Sequence, residues 1–311
     1  MDKPVNISHN NERLVYHYTT LETLFALIKG MKDNLFIFHA SGLHYMNDFT
    51  EFAYGFKELR KLLPALENKI GITDDQIRIS TKLDNADQYL QGRLNYEFVN
   101  TLIEGNMTPF TISTSSLGDS IPMWAMYGNA GRGVALGLDI SNLYVRTKSN
   151  NGMTILDSTQ YDWESPHAYK VMQQLSLGHP AIQYAKSIYT EYQKKVQNVN
   201  SEKELGELCL KALYNMSLFS AALIKHPAFK FENEWRILSL ANSENKPCYK
   251  INSKGYLTSY LAVKIPMSVI RRIVIGPCCD KNYQYSMVKG LLQNNNLSGC
   301  KIVYSKVPYR G

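Results

Sequence analysis

The sequence predicts an α+β fold in a single domain spanning residues 1–311. Three observations carry that expectation. Short strand-like runs follow one another toward the C-terminal end, helical patterns concentrate earlier, and no repeat or Pro/Gly/Ser-rich linker divides the 311 residues. This ordering favours α+β over a doubly wound parallel sheet.

The elements read in order as follows. RLVYHYTT (13–20) is strand-like, and LETLFALIKG (21–30) continues as a helix with Leu21, Leu24, Phe25 and Ile28 on one face. Thr19 with Glu22 three residues later fits a capping box, and Gly30 fits the stop. NLFIFHAS (34–41) reads as a strand, while EFAYGFKELRKLLPALE (51–67) and DNADQYLQGRLNYEFVNTLIEG (84–105) read as helices. PFTISTSS (109–116) returns to extended structure, SIPMWAMYGN (120–129) is a short helical turn, and GRGVALGLDI (131–140) is an apolar strand opened by flexible glycines. From about 166 to 224 the pattern is helical, an inserted or flanking segment. FKFENEWRILSL (229–240), CYKIN (248–252), SYLAVKIP (259–266) and VIRRIVIGP (269–277) follow as strands. A helix over 282–293 and a last strand, KIVYSKV (301–307), close the chain.

At 44% hydrophobic and 20% charged, the composition is that of a globular protein able to bury a sizeable core. No apolar run approaches the roughly 18 residues a bilayer crossing needs, and MDKPVNISHNNE has neither the basic end nor the apolar stretch of a signal peptide. The expectation is a cytoplasmic protein with no membrane partner. The five cysteines show no C-x-x-C and no zinc-type pairing with histidine, so they are expected to be reduced packing residues, and no metal is expected. A net charge of +7 permits attraction to nucleic acid or another acidic partner.

Four stretches carry side chains capable of chemistry. His17, Tyr18 and Thr19 lie where a strand ends and a helix begins, a usual place for a ligand contact; for a lone histidine, satisfying a local carbonyl is the plainer role. HASGLHYMNDFTE holds His39, His44, Asp48 and Glu51, but their spacing matches no zinc or iron pattern, and Asn47 and Asp48 fit better as a helix cap. FTISTSS puts Ser113 and Ser115 on one strand face, and Trp124 and Tyr127 lie three apart on a helix face. Such a group could hold a flat heterocycle, although an aromatic pair at this spacing also suits a core. Finally, if residues 229–240 are one continuous strand, Lys230, Glu232, Glu234 and Arg236 share a face and Phe229, Phe231, Trp235 and Ile237 share the other. Read alone, that is a solvated edge strand. Two carboxylates on one face can also divide the labour of stabilising a cationic sugar centre and activating a nucleophile.

Taken together, HYT, MNDFTE, FTISTSS, MWAMYG followed by GVALG, and Lys225 with ENEWR resemble a large bacterial family known as a domain of unknown function, which is itself similar to a divergent branch of the ADP-ribosyltransferases. The resemblance runs from His17 to about Gly276 and is thinnest over 166–224. It implies a split mixed β-sheet with flanking helices, gripping NAD⁺ in a cleft. By this resemblance His17 contacts the adenosine ribose, with Tyr18 and Thr19 at the same end. Ser113 and Ser115 lie on the Ser-Thr-Ser strand, Tyr127 with Trp124 partners the nicotinamide, and Glu234 is the catalytic glutamate of a Glu-x-Glu pair completed by Glu232. The first-strand arginine of the arginine-serine-glutamate class is absent. The two glutamates can exchange roles, and Lys225, Lys230, Arg132 and Arg236 are unranked candidates for the diphosphate.

The implied activity is NAD-dependent mono-ADP-ribosyl transfer to a macromolecule, with nucleic acid favoured slightly over protein because a basic surface attracts a polyanion. NAD serves as substrate and no metal is involved. The resemblance further implies a toxin or phage-defence role with a neutralising antitoxin. An NAD glycohydrolase and a non-enzymatic binding module are the alternatives.

Overall fold

A computed structural model describes residues 14–42, 63–74, 78–81, 109–140, 154–158, 180–201, 224–241, 245–252, 255–297 and 299–309, together with 61, 204, 205, 207–209, 211 and 212. The helix expected over 84–105, and His44, Asp48 and Glu51, lie outside the described residues. The architecture is α+β, a large and mostly antiparallel sheet with several helices.

The described strands are β1 (Leu14–Thr19), β2 (Leu35–Gly42), β3 (Pro109–Ser115), β4 (Val134–Asp139), β5 (Thr154–Ser158), β6 (Glu234–Leu240), β7 (Cys248–Ile251), β8 (Leu257–Pro266), β9 (Ile270–Ile275) and β10 (Lys301–Tyr304). The described helices include α1 (Leu21–Lys29), α2 (Ile121–Met126), α3 (Pro180–Val196) and α4 (Lys281–Gln293). Among the described strands β10 pairs with β9 in parallel, and every other pairing is antiparallel.

The sheet forks at β3. One edge of β3 pairs with β6 throughout, from Pro109 opposite Leu240 to Ser115 opposite Glu234. Its other edge is shared: Phe110 and Thr111 pair with β2, while Ser115 pairs with Tyr16 of β1. Between them, Ile112, Ser113 and Thr114 face a gap. One arm continues from β1 through β4 and β9 to β10, and the other from β2 through β8 to β7. A sheet that leaves one strand in two directions opens a groove at its point of divergence.

The main core lies under both arms. Leu24, Leu27 and Ile28 of α1 and Val288 and Leu292 of α4 pack with Phe36, Phe38, Leu136, Leu138, Leu261, Val263 and Ile273 from the strands. A smaller core on another face joins Tyr16 and Tyr18 to Met123, Trp124, Ala135 and Val274. Strands β1 and β4 therefore carry buried residues on successive positions, as strands covered on both faces do.

Several expectations shift by a residue or more. The cap of α1 is Thr20, whose hydroxyl accepts from Thr23 N, rather than Thr19. Its buried face uses Leu27, and Phe25 is exposed. β5 was not expected at all. The largest correction concerns 229–240: strand structure begins only at Glu234, and Pro227–Glu232 forms a 3₁₀ turn. Pro227 starts that turn with its fixed φ, His226 Nδ1 caps it by accepting from Ala228 N, and Asn233 ends it in the left-handed region at φ 44°, ψ 48°. Asparagine tolerates that region better than most residues. β6 lies between β3 and β5, so the segment is no solvated edge.

Candidate active site

The groove at the fork is a cleft of about 790 Å³, within the range of small-molecule sites. Its walls come from both arms and from α1. His17, Tyr18 and Thr19 line it from β1, Ile37, His39 and Ser41 from β2, and Thr111 to Thr114 from β3. Tyr127, Lys225, Glu232, Glu234 and Lys250 complete the polar lining, with Glu22 and Thr23 from α1.

The turn at 227–232 brings Glu232 back beside Glu234. Ser115 Oγ donates to the Glu232 carbonyl at 2.6 Å, and Ser116 N donates to the Asn233 carbonyl at 2.9 Å, so the end of β3 fixes the turn. The two carboxylates then share one ammonium. Lys225 Nζ donates to Glu232 Oε2 at 2.6 Å and to Glu234 Oε2 at 3.0 Å. Arg236 grips Glu234 with both faces of its fork, Nε to Oε1 at 3.0 Å and Nη2 to Oε2 at 2.8 Å. Tyr127 Oη donates to Glu232 Oε1 at 2.6 Å.

All four charged groups are buried, with side-chain exposures of 5% for Lys225, 3% for each glutamate and 0% for Arg236. Charges taken that far from water persist only when paired, and here two anions meet two cations. Burial raises the Glu234 pKa, but Arg236 and then Lys225 outweigh it and hold the carboxyl at about 2. Ser113 sits beside this carboxylate and helps to keep it ionised without completing a full hydrogen bond.

An ionised carboxylate offers about four acceptor positions. Glu234 spends at least three on Arg236 and Lys225, whereas Glu232 spends one on Tyr127 and one on Lys225. Of the two, Glu232 keeps more capacity for a ligand in the cleft.

His17 bridges the gap in the fork. Its Nδ1 lies 2.9 Å from the Ser113 carbonyl, which can only accept, so Nδ1 carries the hydrogen and Nε2 is left as an acceptor. Burial lowers its pKa and keeps the ring neutral, and Phe38 meets it edge-on at 5.8 Å.

The structure thus gathers His17, Tyr18, Thr19, Ser113, Tyr127, Glu232 and Glu234 around one cleft. It does not bring Trp124 or Ser115 to it. Trp124 is fully buried in the smaller core, stacked edge-on with Tyr18 at 4.8 Å, and donates Nε1 to Asp119 Oδ1 at 2.8 Å. Ser115 is buried holding Glu232 and accepting from Leu117 N. Tyr18 lends its ring to the cleft while its hydroxyl donates to the Leu117 carbonyl and accepts from Ser120 N, fixing the start of α2.

The four cations considered for a diphosphate are otherwise placed. Lys225 and Arg236 belong to the carboxylate network, and Lys230 and Arg132 are exposed outside the cleft lining. Lys250, absent from the expected set, does line the cleft, as does His39. The alternation of CYKIN, which places Lys250 on the face opposite Tyr249 and Ile251, was the available signal.

Residues 123–237 match the family model of DUF2971, described as a protein of unknown function. The matched span contains Tyr127, Lys225, Glu232, Glu234 and Arg236, and excludes His17 and Ser113. No curated protein and no solved structure matches the chain. What the comparisons support is a similarity of residues 123–237, less than half of the chain, to DUF2971.

Proposed function

We propose that the chain is an NAD-dependent mono-ADP-ribosyltransferase of the ADP-ribosyltransferase-like, split-sheet kind. The observation that carries this reading is the pair of buried carboxylates, Glu232 and Glu234, sharing the Lys225 ammonium at the fork of the sheet across from a neutral histidine acceptor.

In such a reaction the bond between nicotinamide and ribose breaks with its electron pair leaving on nicotinamide. The ribose then carries oxocarbenium character. A carboxylate held against its 2′-hydroxyl stabilises charge that exists mainly in the transition state. The acceptor's nucleophilic atom forms the new bond to C1′ and gives up its proton to solvent water. The hydrogen-bond inventory favours Glu232 for the ribose hydroxyl, with Tyr127 fixing its orientation, although the family resemblance alone points to Glu234. Glu234, locked to Arg236, holds the shared Lys225 in place. His17 Nε2 is suited to accept from a ribose hydroxyl at the other end of the ligand, and Thr19 lies beside it.

A nucleic-acid acceptor is preferred to a protein one, since the net charge of +7 attracts a polyanion. Chemistry of this kind is hazardous to the cell that makes it, so the reading carries with it a toxin or defence role and a neutralising partner.

The test is incubation of the purified chain with NAD labelled in its adenylate and a whole-cell extract. The expected result is label on a macromolecule, removed by nuclease. Label that survives nuclease and is lost to protease would overturn the acceptor preference. Release of free ADP-ribose alone would make the enzyme a glycohydrolase, and the absence of both products would overturn the reading.

A further inference from the structure

Among the described cleft-lining residues, two lysines occur, and they differ in kind. Lys225 is paired with two carboxylates. Lys250, half-buried on β7, has no carboxylate partner among the described residues; its ammonium lies 5.4 Å from the centre of the Tyr260 ring. The same ring stacks on His39 with centroids 4.0 Å apart and a 30° tilt.

The strand registers explain this grouping. Lys250 faces Thr258 on β8, and Tyr260, two residues along the same face, is opposite Ser41 of β2. His39, two residues from Ser41, therefore shares that face too. Three side chains from three strands meet on this face, on the arm that leaves β3 away from the carboxylate pair, and two of them, Lys250 and His39, line the cleft.

We propose that Lys250 and His39, braced by Tyr260, form a subsite for a phosphate group of the nucleotide that occupies the cleft. The proposal rests on the reading of the cleft as a nucleotide site and assigns the anionic part of the ligand to the arm that runs from β2 through β8 to β7. A cation in a cleft without an anion beside it has the electrostatic character that a phosphate ester complements, and lysine binds phosphate as a point charge without needing a bidentate fit. Burial pulls the Lys250 pKa down, and burial together with the Lys250 charge does the same to His39; a bound phosphate opposes both effects.

Lys250 lies on a short strand with exposed neighbours Tyr249 and Ile251, so its replacement is compatible with folding. The experiment is calorimetric titration of the full chain and its K250Q, K250R and H39N variants with ADP, with adenosine as the ligand lacking phosphate, and with melting curves to confirm the fold. Wild type is expected to bind ADP more tightly than adenosine. K250Q is expected to bind ADP about 10- to 100-fold more weakly, the effect of losing one charge-assisted hydrogen bond, while adenosine binding is unchanged. K250R keeps most of the ADP affinity, and H39N lies between. Equal ADP affinity in wild type and K250Q overturns the subsite, as does absence of ADP binding by wild type. The two readings fail separately: Lys250-dependent ADP binding without NAD consumption removes the transferase and leaves the subsite. NAD consumption with unchanged KM in K250Q does the reverse.

Discussion

Removing the Lys225 ammonium should unbalance the most deeply buried charges of the cleft. In Lys225→Met the stem length is kept and the charge is lost. Glu232 then retains the Tyr127 hydroxyl, Glu234 retains Arg236, and two buried anions are left without the cation that bridged them. Breaking a buried ion pair from one side costs about 3–5 kcal/mol, because an uncompensated charge stays behind. The contact of Lys225 with the Phe229 ring, 4.8 Å from its centre, contributes a further ~0.5–2 kcal/mol that methionine replaces only in part. A loss of about 3.5–6 kcal/mol in denaturant unfolding near neutral pH is therefore expected, with an unchanged m-value. Adding Glu232→Gln to Lys225→Met removes one anion with the cation and should restore more than half of the loss. A single variant within about 1 kcal/mol of wild type, or a double variant no more stable than the single, would refute the shared-ammonium account.

Further expectations follow from the same geometry. Glu234 has its pKa lowered from an ordinary 4.5 to about 2, so the unfolded chain binds the extra proton in that window. Its roughly 3 kcal/mol of stabilisation is present above pH 4.5 and lost as pH falls toward 2. Denaturant unfolding between pH 5 and 3 should show this slope in wild type and a shallower one in Glu234→Gln. Tyr127→Phe removes a 2.6 Å hydrogen bond to a carboxylate, costing about 1.5–3 kcal/mol in stability and at least tenfold in NAD turnover, measured by denaturation and by nicotinamide release. Gly133→Ala would bring a Cβ within 2.1 Å of the Thr19 carbonyl oxygen, where β4 passes β1. Backbone cannot yield there, and a loss exceeding about 3 kcal/mol or failure to fold is expected by thermal melting.

Much of this architecture is legible in the sequence where period and punctuation agree. LVYHYT, FTISTS and VALGLD are found as strands within a residue or three of their expected limits, because alternation and apolar content report burial on a sheet directly. The error at 229–240 has a physical cause. Alternation of charge and aromatic residues fits a strand, but Pro227 and Asn233 impose a 3₁₀ turn and a left-handed residue that periodicity does not register. The two glutamates nonetheless meet, through a lysine seven positions earlier rather than through strand pleating. Trp124 and Tyr127 show the limit of helical spacing: they sit three apart, yet one fills the core and the other reaches the cleft. The alternation of CYKIN sets Lys250 apart from Tyr249 and Ile251, but which cleft that face meets depends on the strands that flank β7, a matter of topology that residue patterns do not carry.

The central claim is that the paired carboxylates in the fork cleave the nicotinamide–ribose bond. The most direct measurement is release of nicotinamide from NAD by the purified chain, with and without cell extract, for wild type, Glu232→Gln and Glu234→Gln variants shown to be folded. The account predicts release by wild type and a loss of at least a hundredfold in Glu232→Gln, the effect of removing a charge-stabilising group from the transition state. Equal release by wild type and both variants, or none from wild type in the presence of extract, would contradict it.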